Sequence, residues 1–216
     1  MLEIFDVSYA QLSEKKSQEL FTLRKETFKD RLDWAVQCTN GMEFDQYDNV
    51  NTTYLFGIKD NLVICSLRFI ETKYPNMITG TFFPYFKSIN IPEGNFLESS
   101  RFFVDKSRAK DILGNEYPIS SMLFLSMINY SRNKSYDGIY TIVSHPMLTI
   151  LKRSGWGIRV VEQGLSEKQE RVYLVFLPVD DENQEALACR VNRSGAFIRD
   201  KLKQWPLRVP ATIAQV

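Results

Sequence analysis

Two clusters of polar residues interrupt otherwise apolar or irregular segments of this chain. One is Arg24, Phe28, Arg31, Trp34, Asp45 and Asp48; the other is Arg68, Glu98, Ser99, Ser100 and Arg101. The stretch ESSRFFVD (98–105) poses the sharpest question. It sets a carboxylate and a guanidinium directly before Phe102, Phe103 and Val104, which read as a buried strand. Burying charge is costly unless it is paired, so an acid and a base at the start of such a strand call for partners or a reaction. Each residue alone has a plainer account. Arg24 shares a helical face with Leu20 and Phe28, where a partly buried ion pair or a snorkelling side chain would serve. Asp45 and Asp48 fit ordinary turns. Arg68 alternates with Ser66 and Ile70, away from Cys65, Leu67 and Phe69, which suits a solvated face.

The elements that must position these residues follow from periodicity. Leu2, Ile4, Phe5 and Val7 mark a short strand, and Ser8 to Gln11 has capping-box spacing ahead of a helix over 9–28. Residues 30–51 lose any clean period yet carry Trp34 and Phe44, so the segment reads as functional rather than disordered. TYLFGIK and LVICSLRFI form a hairpin turning at Asp60-Asn61. Residues 71–95 are a long connection. FLESSRFFVD is a strand, KSRAKDILG a short helix, PISSMLFLSMINYSRNK an apolar helix, GIYTIVS a buried strand and PMLTILKRSG a helix. WGIRVVEQ and RVYLVFLPV pair as a hairpin, and residues 180–204 read as a helix or a loosely held tail. This order predicts an α/β (α+β) domain spanning 1–216, with a central, mixed, twisted sheet and helices on both faces.

Composition narrows the function. The 216 residues carry 27 basic and 26 acidic side chains, so a polyanionic partner must be met by a local patch and nucleic-acid binding is not expected. Cys38, Cys65 and Cys189 are widely spaced without a CxxC, which fits reduced thiols, with Cys65 a core residue. Any Ser-His or Cys-His system would depend on the sole histidine, His145, and no metal site is expected. The N-terminus does not read as a secretion signal, and no apolar run approaches a membrane span, so the expected location is the cytoplasm.

The segments LRKETFKDRLDW, MEFDQYD, LRF, PNMIT, ESSRFFVD, YPIS and IYTIVS occur in an order that resembles the LuxI-type acyl-homoserine-lactone synthases, over roughly residues 1–178. The family's near-invariant positions map to Arg24, Phe28, Trp34, Asp45, Asp48, Arg68, Glu98 and Arg101, all present. The resemblance implies a three-layer sandwich similar to the GCN5-related N-acetyltransferases. It implies acyl transfer from acyl carrier protein to the amine of S-adenosylmethionine, then closure to the homoserine lactone with release of methylthioadenosine. It implies no cofactor: S-adenosylmethionine is a substrate, and the acyl-phosphopantetheine arrives on the partner.

These residues suit that chemistry. Only a neutral amine attacks a thioester, and a carboxylate in a partly dry site can accept its proton, which makes Glu98 the base, with Arg101 and Ser100 beside it. Phe28 and Trp34 offer aromatic faces to a sulfonium or adenine. Asp45 and Asp48 suit an ammonium or ribose, or hold arginines; Arg24, Arg68 and Arg101 suit the substrate carboxylate or tie the aspartates together. Strict alternation puts Glu98 and Arg101 on opposite strand faces. The fold resemblance implies a β-bulge, expected near Phe102–Val104, where the backbone of Phe103 and Val104 would cradle the thioester oxygen and pantetheine. The resemblance also implies an acyl pocket of Ser99, Phe102, Met127, Thr141, Val143, Met147, Leu151 and Leu177, with Thr141 going with 3-oxoacyl products. Lys106, Arg108, Lys110, Lys152 and Arg153 are the expected carrier-protein patch, and a monomer is the default expectation. A generic acyl-coenzyme A N-acyltransferase and a lactone-binding sensor are the alternatives. The sensor normally carries an output module such as a helix-turn-helix, and none follows residue 178.

Overall fold

The computed structural model describes residues 1–193, 195, 197 and 199–208. Its elements are β1 (Glu3–Ser8), α1 (Glu14–Arg24), β2 (Cys38–Thr39), β3 (Met42–Glu43), β4 (Thr52–Lys59), β5 (Leu62–Glu71) and β6 (Phe96–Val104). Then follow α2 (Lys106–Leu113), α3 (Ile119–Asn133), β7 (Gly138–Ser144), α4 (His145–Arg153), β8 (Arg159–Leu165), β9 (Arg171–Leu177), α5 (Asp181–Val191), α6 (Arg199–Leu202) and β10 (Leu207–Arg208). Eight strands form one mixed sheet in the order β10-β1-β4-β5-β6-β7-β9-β8, parallel only at β1/β10 and β6/β7. No helix among the described residues is long and apolar enough to cross a membrane.

Alternation along the strands sorts side chains between two cores. Ile4, Leu55, Leu67, Phe69, Ile139 and Val175 face α3, α5 and α4, packing on Leu123, Phe124, Leu187 and Leu151. Phe5, Val7, Tyr54, Phe56 and Phe103 face α1, meeting Leu20, Leu23 and Phe28. The rest of that second face is covered by the 72–95 connection, through Ile78 and Phe86 against Phe96, Tyr140 and Leu174.

The helix expected over 9–28 divides into three. Tyr9–Gln11 is a single 3-10 turn, Leu12 is extended, and Ser13 caps α1 by accepting from the Lys16 N–H at 3.3 Å. A cap residue competes with helix continuation, hence the break. Beyond Arg24 the chain widens into a π-helix, Lys25–Arg31. The irregular 30–51 segment contains the β2/β3 ribbon, whose Asn40-Gly41 turn has φ of 52° and 77°, the values a two-residue hairpin requires. The Asp60-Asn61 turn matches expectation, with both φ positive.

The tail departs most from expectation. Asp180 caps α5 by accepting from the Asn183 N–H, α5 packs on α3, and β10 adds to β1. Asn129 in α3 donates to the Leu202 carbonyl at 2.9 Å, and Leu202 and Trp205 are buried in the main core. This segment is an integral layer. Trp205→Ala is expected to cost about 3–5 kcal/mol, read as a lowered urea midpoint with unchanged slope.

Candidate active site

The site lies on the α1 face of the sheet, where α1, the β3 segment and the middle of β6 converge. Arg68 faces with Ser66 and Ile70 as alternation requires, but that face is covered, and the side chain is 0 % exposed. The solvated reading of Arg68 fails because the 43–48 segment and α1 lie over it.

Three arginines and three carboxylates interlock. Arg24 donates to Glu43 Oε2 at 2.6 Å and, with both terminal nitrogens, to Asp48 at 2.8 and 3.0 Å. Arg68 donates to Asp45 Oδ1 and Oδ2 at 2.6 and 3.1 Å, and lies 3.0 Å from Asp48 Oδ1. Arg101 donates to Glu43 Oε1 at 2.8 Å and to Asp45 Oδ2 at 2.9 Å. The Tyr54 hydroxyl donates to Asp48 at 2.7 Å. Burial alone would raise the Asp48 carboxyl, but Arg24 and Arg68 hold it well below the usual carboxylate range. The six charges cancel, which is how so many are tolerated where water is excluded.

Arg101 reaches this cluster because β6 bulges. Between Ser66 and Arg68 the partner register jumps from Phe103 to Ser100, so three steps on β6 match two on β5. Arg101 takes φ of +55°, a left-handed conformation that a non-glycine residue keeps only when its surroundings hold it. The bulge therefore lies at Arg101–Phe102, ahead of the expected Phe102–Val104. It reverses the facing of everything after it: Phe103 joins Phe28 in the α1-side core, Phe102 stacks on Phe124 at 5.2 Å on the other, and Val104 packs there too. Arg101 now shares the face of Glu98.

Glu98 is 1 % exposed. Burial pushes its carboxyl from 4.5 up to about 7, with Arg68, the Ser100 hydroxyl and Arg101 pulling the other way. Ser100 donates to Glu98 Oε2 at 3.3 Å while accepting from Arg68 Nε at 3.1 Å. A carboxylate poised near neutrality can take a proton and release it again. Beside it the sheet opens. The β6/β7 ladder runs from Phe96–Gly138 to Ser99–Thr141 and stops there, although both strands continue. A slot thus separates Ser100–Val104 from Ile142–Ser144. Phe28 and Trp34 stack at 5.1 Å, with Phe28 buried and Trp34 on the surface, and the Arg101 guanidinium lies 5.6 Å from the Phe28 ring.

An autoinducer synthase family model matches residues 8–187. The chain belongs to the autoinducer synthase family. An acyl-homoserine-lactone synthase of Pectobacterium carotovorum subsp. carotovorum is 89% identical over 215 residues, covering 100% of both chains. The protein is thus an acyltransferase that makes acyl-homoserine lactones. A solved CoA-dependent acyl-homoserine lactone synthase, described with SAM and isopentyl-CoA, superposes with a TM-score of 0.76 at 18% identity over 89% of this chain and 90% of that one. An acyl-CoA N-acyltransferase from Pseudomonas aeruginosa superposes at 0.54, with 14% identity, over 81% and 99%. The synthase has the acetyltransferase-like fold that the resemblance implied.

All eight residues of the family pattern meet in the synthase at one place. Sequence reasoning missed Glu43, which is fully buried and bridges Arg24 to Arg101. The Asn40-Gly41 hairpin signal, two residues upstream, was the available pointer to it. Tyr47, Tyr54 and Met77 were missed as well. The acyl-pocket candidates also gather. Met127, Val143, Leu151 and Leu177 are buried in the α3-side core, with Phe102 and Met147 packed on it. The Thr141 hydroxyl donates to the Ser99 carbonyl at 2.8 Å. The basic residues divide. Lys106, Lys110, Lys152 and Arg153 are exposed, but Arg108 is engaged by Glu19 at 2.5 Å, the Val63 carbonyl at 3.1 Å and Asp105 at 3.2 Å. Arg108 thus differs from the other four in being held by local partners.

Proposed function

We propose that this synthase transfers a 3-oxohexanoyl or 3-oxooctanoyl group from acyl carrier protein to the amine of S-adenosylmethionine and closes the product to the lactone. The observation that carries this reading is Glu98: a buried carboxyl near neutrality, between a charge-neutral arginine–carboxylate cluster and an open slot in the sheet. Glu98 takes the proton from the substrate ammonium, directly or through water. The freed amine attacks the thioester carbon, a C–N bond forms, the C–S bond breaks, and the carrier thiolate leaves and is protonated. The Ser100–Val104 backbone lining the slot supports the oxyanion. The substrate carboxylate then attacks the carbon bearing the sulfonium, and methylthioadenosine leaves as that C–S bond breaks. Confinement supplies much of this second step's acceleration.

Arg24 and Arg68 direct their donors at Asp48, Glu43, Asp45 and Ser100. Arg101 Nη1 donates to the Met77 sulfur at 3.3 Å, a weak acceptor, so Arg101 has a donor to offer the substrate carboxylate. Trp34 presents the aromatic surface for the sulfonium or adenine, backed by the buried Phe28 ring stacked on it. Exposed Lys106, Lys110, Lys152 and Arg153 suit an acidic carrier protein and equally the phosphates of coenzyme A. Turnover with acyl carrier protein and with acyl-coenzyme A, at one acyl chain, decides between the donors.

Mass spectrometry of extracts from a lactone-free bacterial host expressing the protein tests the product. A 3-oxoacyl-homoserine lactone is expected, and its absence with soluble protein and suitable acyl chains overturns the reading. The Thr141 proton is committed to Ser99 and must be exchanged to reach a 3-oxo oxygen. In the same assay Thr141→Val, which keeps shape without the hydroxyl, is expected to lower the 3-oxo share relative to unsubstituted chains.

A further inference from the structure

Tyr47 stands between the two aspartates of the cluster, is 4 % exposed, and touches two members of the cluster and the turn beside it. Its N–H donates to Asp45 Oδ1 at 2.9 Å. Its ring lies under Arg68, whose guanidinium carbon is 5.7 Å from the centroid. Its hydroxyl lies 3.1 Å from Thr81 Oγ1 and accepts from the Thr81 N–H at 3.2 Å. Thr81 ends a turn built on buried Asn76, whose side-chain oxygen accepts from the N–H groups of Ile78 and Thr79. That same turn places Met77 against Arg101. Gly80 lies in it too, and a Cβ there would sit 2.1 Å from the Tyr47 hydroxyl oxygen. Gly80 does not have a positive φ, so its backbone conformation accepts alanine; the hydroxyl is the severe obstruction, while the Asn76 carbonyl oxygen at 3.2 Å and Tyr47 Cζ at 3.3 Å would have to give by only a few tenths of an ångström.

We propose that Tyr47 is a positioning residue: it ties the 76–81 turn to the guanidinium cluster, fixing Arg68 from below and, through Met77, Arg101 from the side. Gly80 is the complement of its hydroxyl. The consequence for S-adenosylmethionine rests on the reading of this cluster as that substrate's site.

The test is steady-state kinetics of the full chain as Tyr47→Phe, Gly80→Ala, the double variant and Arg101→Lys, varying each substrate in turn. Tyr47→Phe is expected to raise KM for S-adenosylmethionine roughly three- to tenfold with KM for the acyl donor unchanged. Gly80→Ala, which drives a methyl group into the hydroxyl, is expected to raise it roughly ten- to a hundredfold. The double variant, with the hydroxyl gone, should return to within about threefold of Tyr47→Phe. Loss of folded protein lowers apparent kcat without moving one KM, so a merely structural role gives a different pattern. A Gly80→Ala enzyme with wild-type constants, or a double variant as impaired as Gly80→Ala, overturns the proposal. Should Arg101→Lys leave KM for S-adenosylmethionine unchanged, the substrate assignment falls, while compensation between Gly80→Ala and Tyr47→Phe in whichever KM they raise still decides the role of Tyr47.

Discussion

Glu98→Gln is expected to lower kcat/KM by about 10²- to 10⁴-fold, the usual worth of a positioned general base. The amide keeps the shape of the side chain but cannot take a proton. In the wild type, activity should rise with pH through about 7 with unit slope, since the base must be ionised and burial holds its carboxyl there. The residual activity of the variant should lack that limb. Stability should move the opposite way. The folded pKa is raised, so the stability Glu98 contributes is present below about 4.5 and lost as pH rises through about 7. Above that pH an unfavourable buried charge remains, of about 3 kcal/mol. Glu98→Gln removes it and should therefore be more stable than the wild type at pH 8 while far less active. Urea unfolding at pH 5 and pH 8 reads this directly. Equal stabilities at pH 8 would mean that the carboxylate is better solvated than its surroundings indicate, and the case for it as base would weaken.

The second large effect is on stability. Asp48 accepts from Arg24 twice, from Tyr54 and from the Asp45 N–H, and pairs with Arg68. Asp48→Asn leaves two buried guanidinium groups short of a counter-charge. Breaking one side of a buried pair costs about 3–5 kcal/mol, which for a chain this size lowers Tm by roughly 10 °C. Here the folded pKa is depressed, so the contribution is present above the ordinary aspartate value of 3.8 and is lost as pH falls through the lower folded value. The difference in Tm between wild type and Asp48→Asn should thus be constant from pH 7 to pH 5 and narrow only well below pH 4. Thermal unfolding across that range checks it, and a gap already closing at pH 5 would contradict the tight pairing.

The elements were legible in the sequence because their signals are local. Hydrophobic alternation marked β4, β5, β7 and β9, a helical period marked α3, and Asp60-Asn61 marked its turn. The arginines and aspartates that gather in the buried cluster were legible too, since charged side chains stand out where apolar ones are expected. What the sequence could not carry was whether a face is covered. Arg68 faces the side alternation assigns, yet only the arrival of α1 and the 43–48 segment turns that side from solvated to buried. The one-residue offset of the bulge depends on how β5 and β6 register, and on the pairs with Glu43 and Asp45 that hold Arg101 at positive φ. The Glu98 carboxyl is pushed up to about 7 through desolvation by residues distant in the chain. Arg108 looked free for a partner until Glu19, 89 positions earlier, was found beside it. The polar tail gave no sign of closing onto β1, because pairing at a sheet edge is read by backbone groups that every residue carries. By itself the sequence determined which charged side chains stand where apolar ones are expected and which segments are strand or helix. The tertiary structure decided which charges meet, which lose their water and which way Arg101 points, because those depend on contacts between residues far apart in the chain.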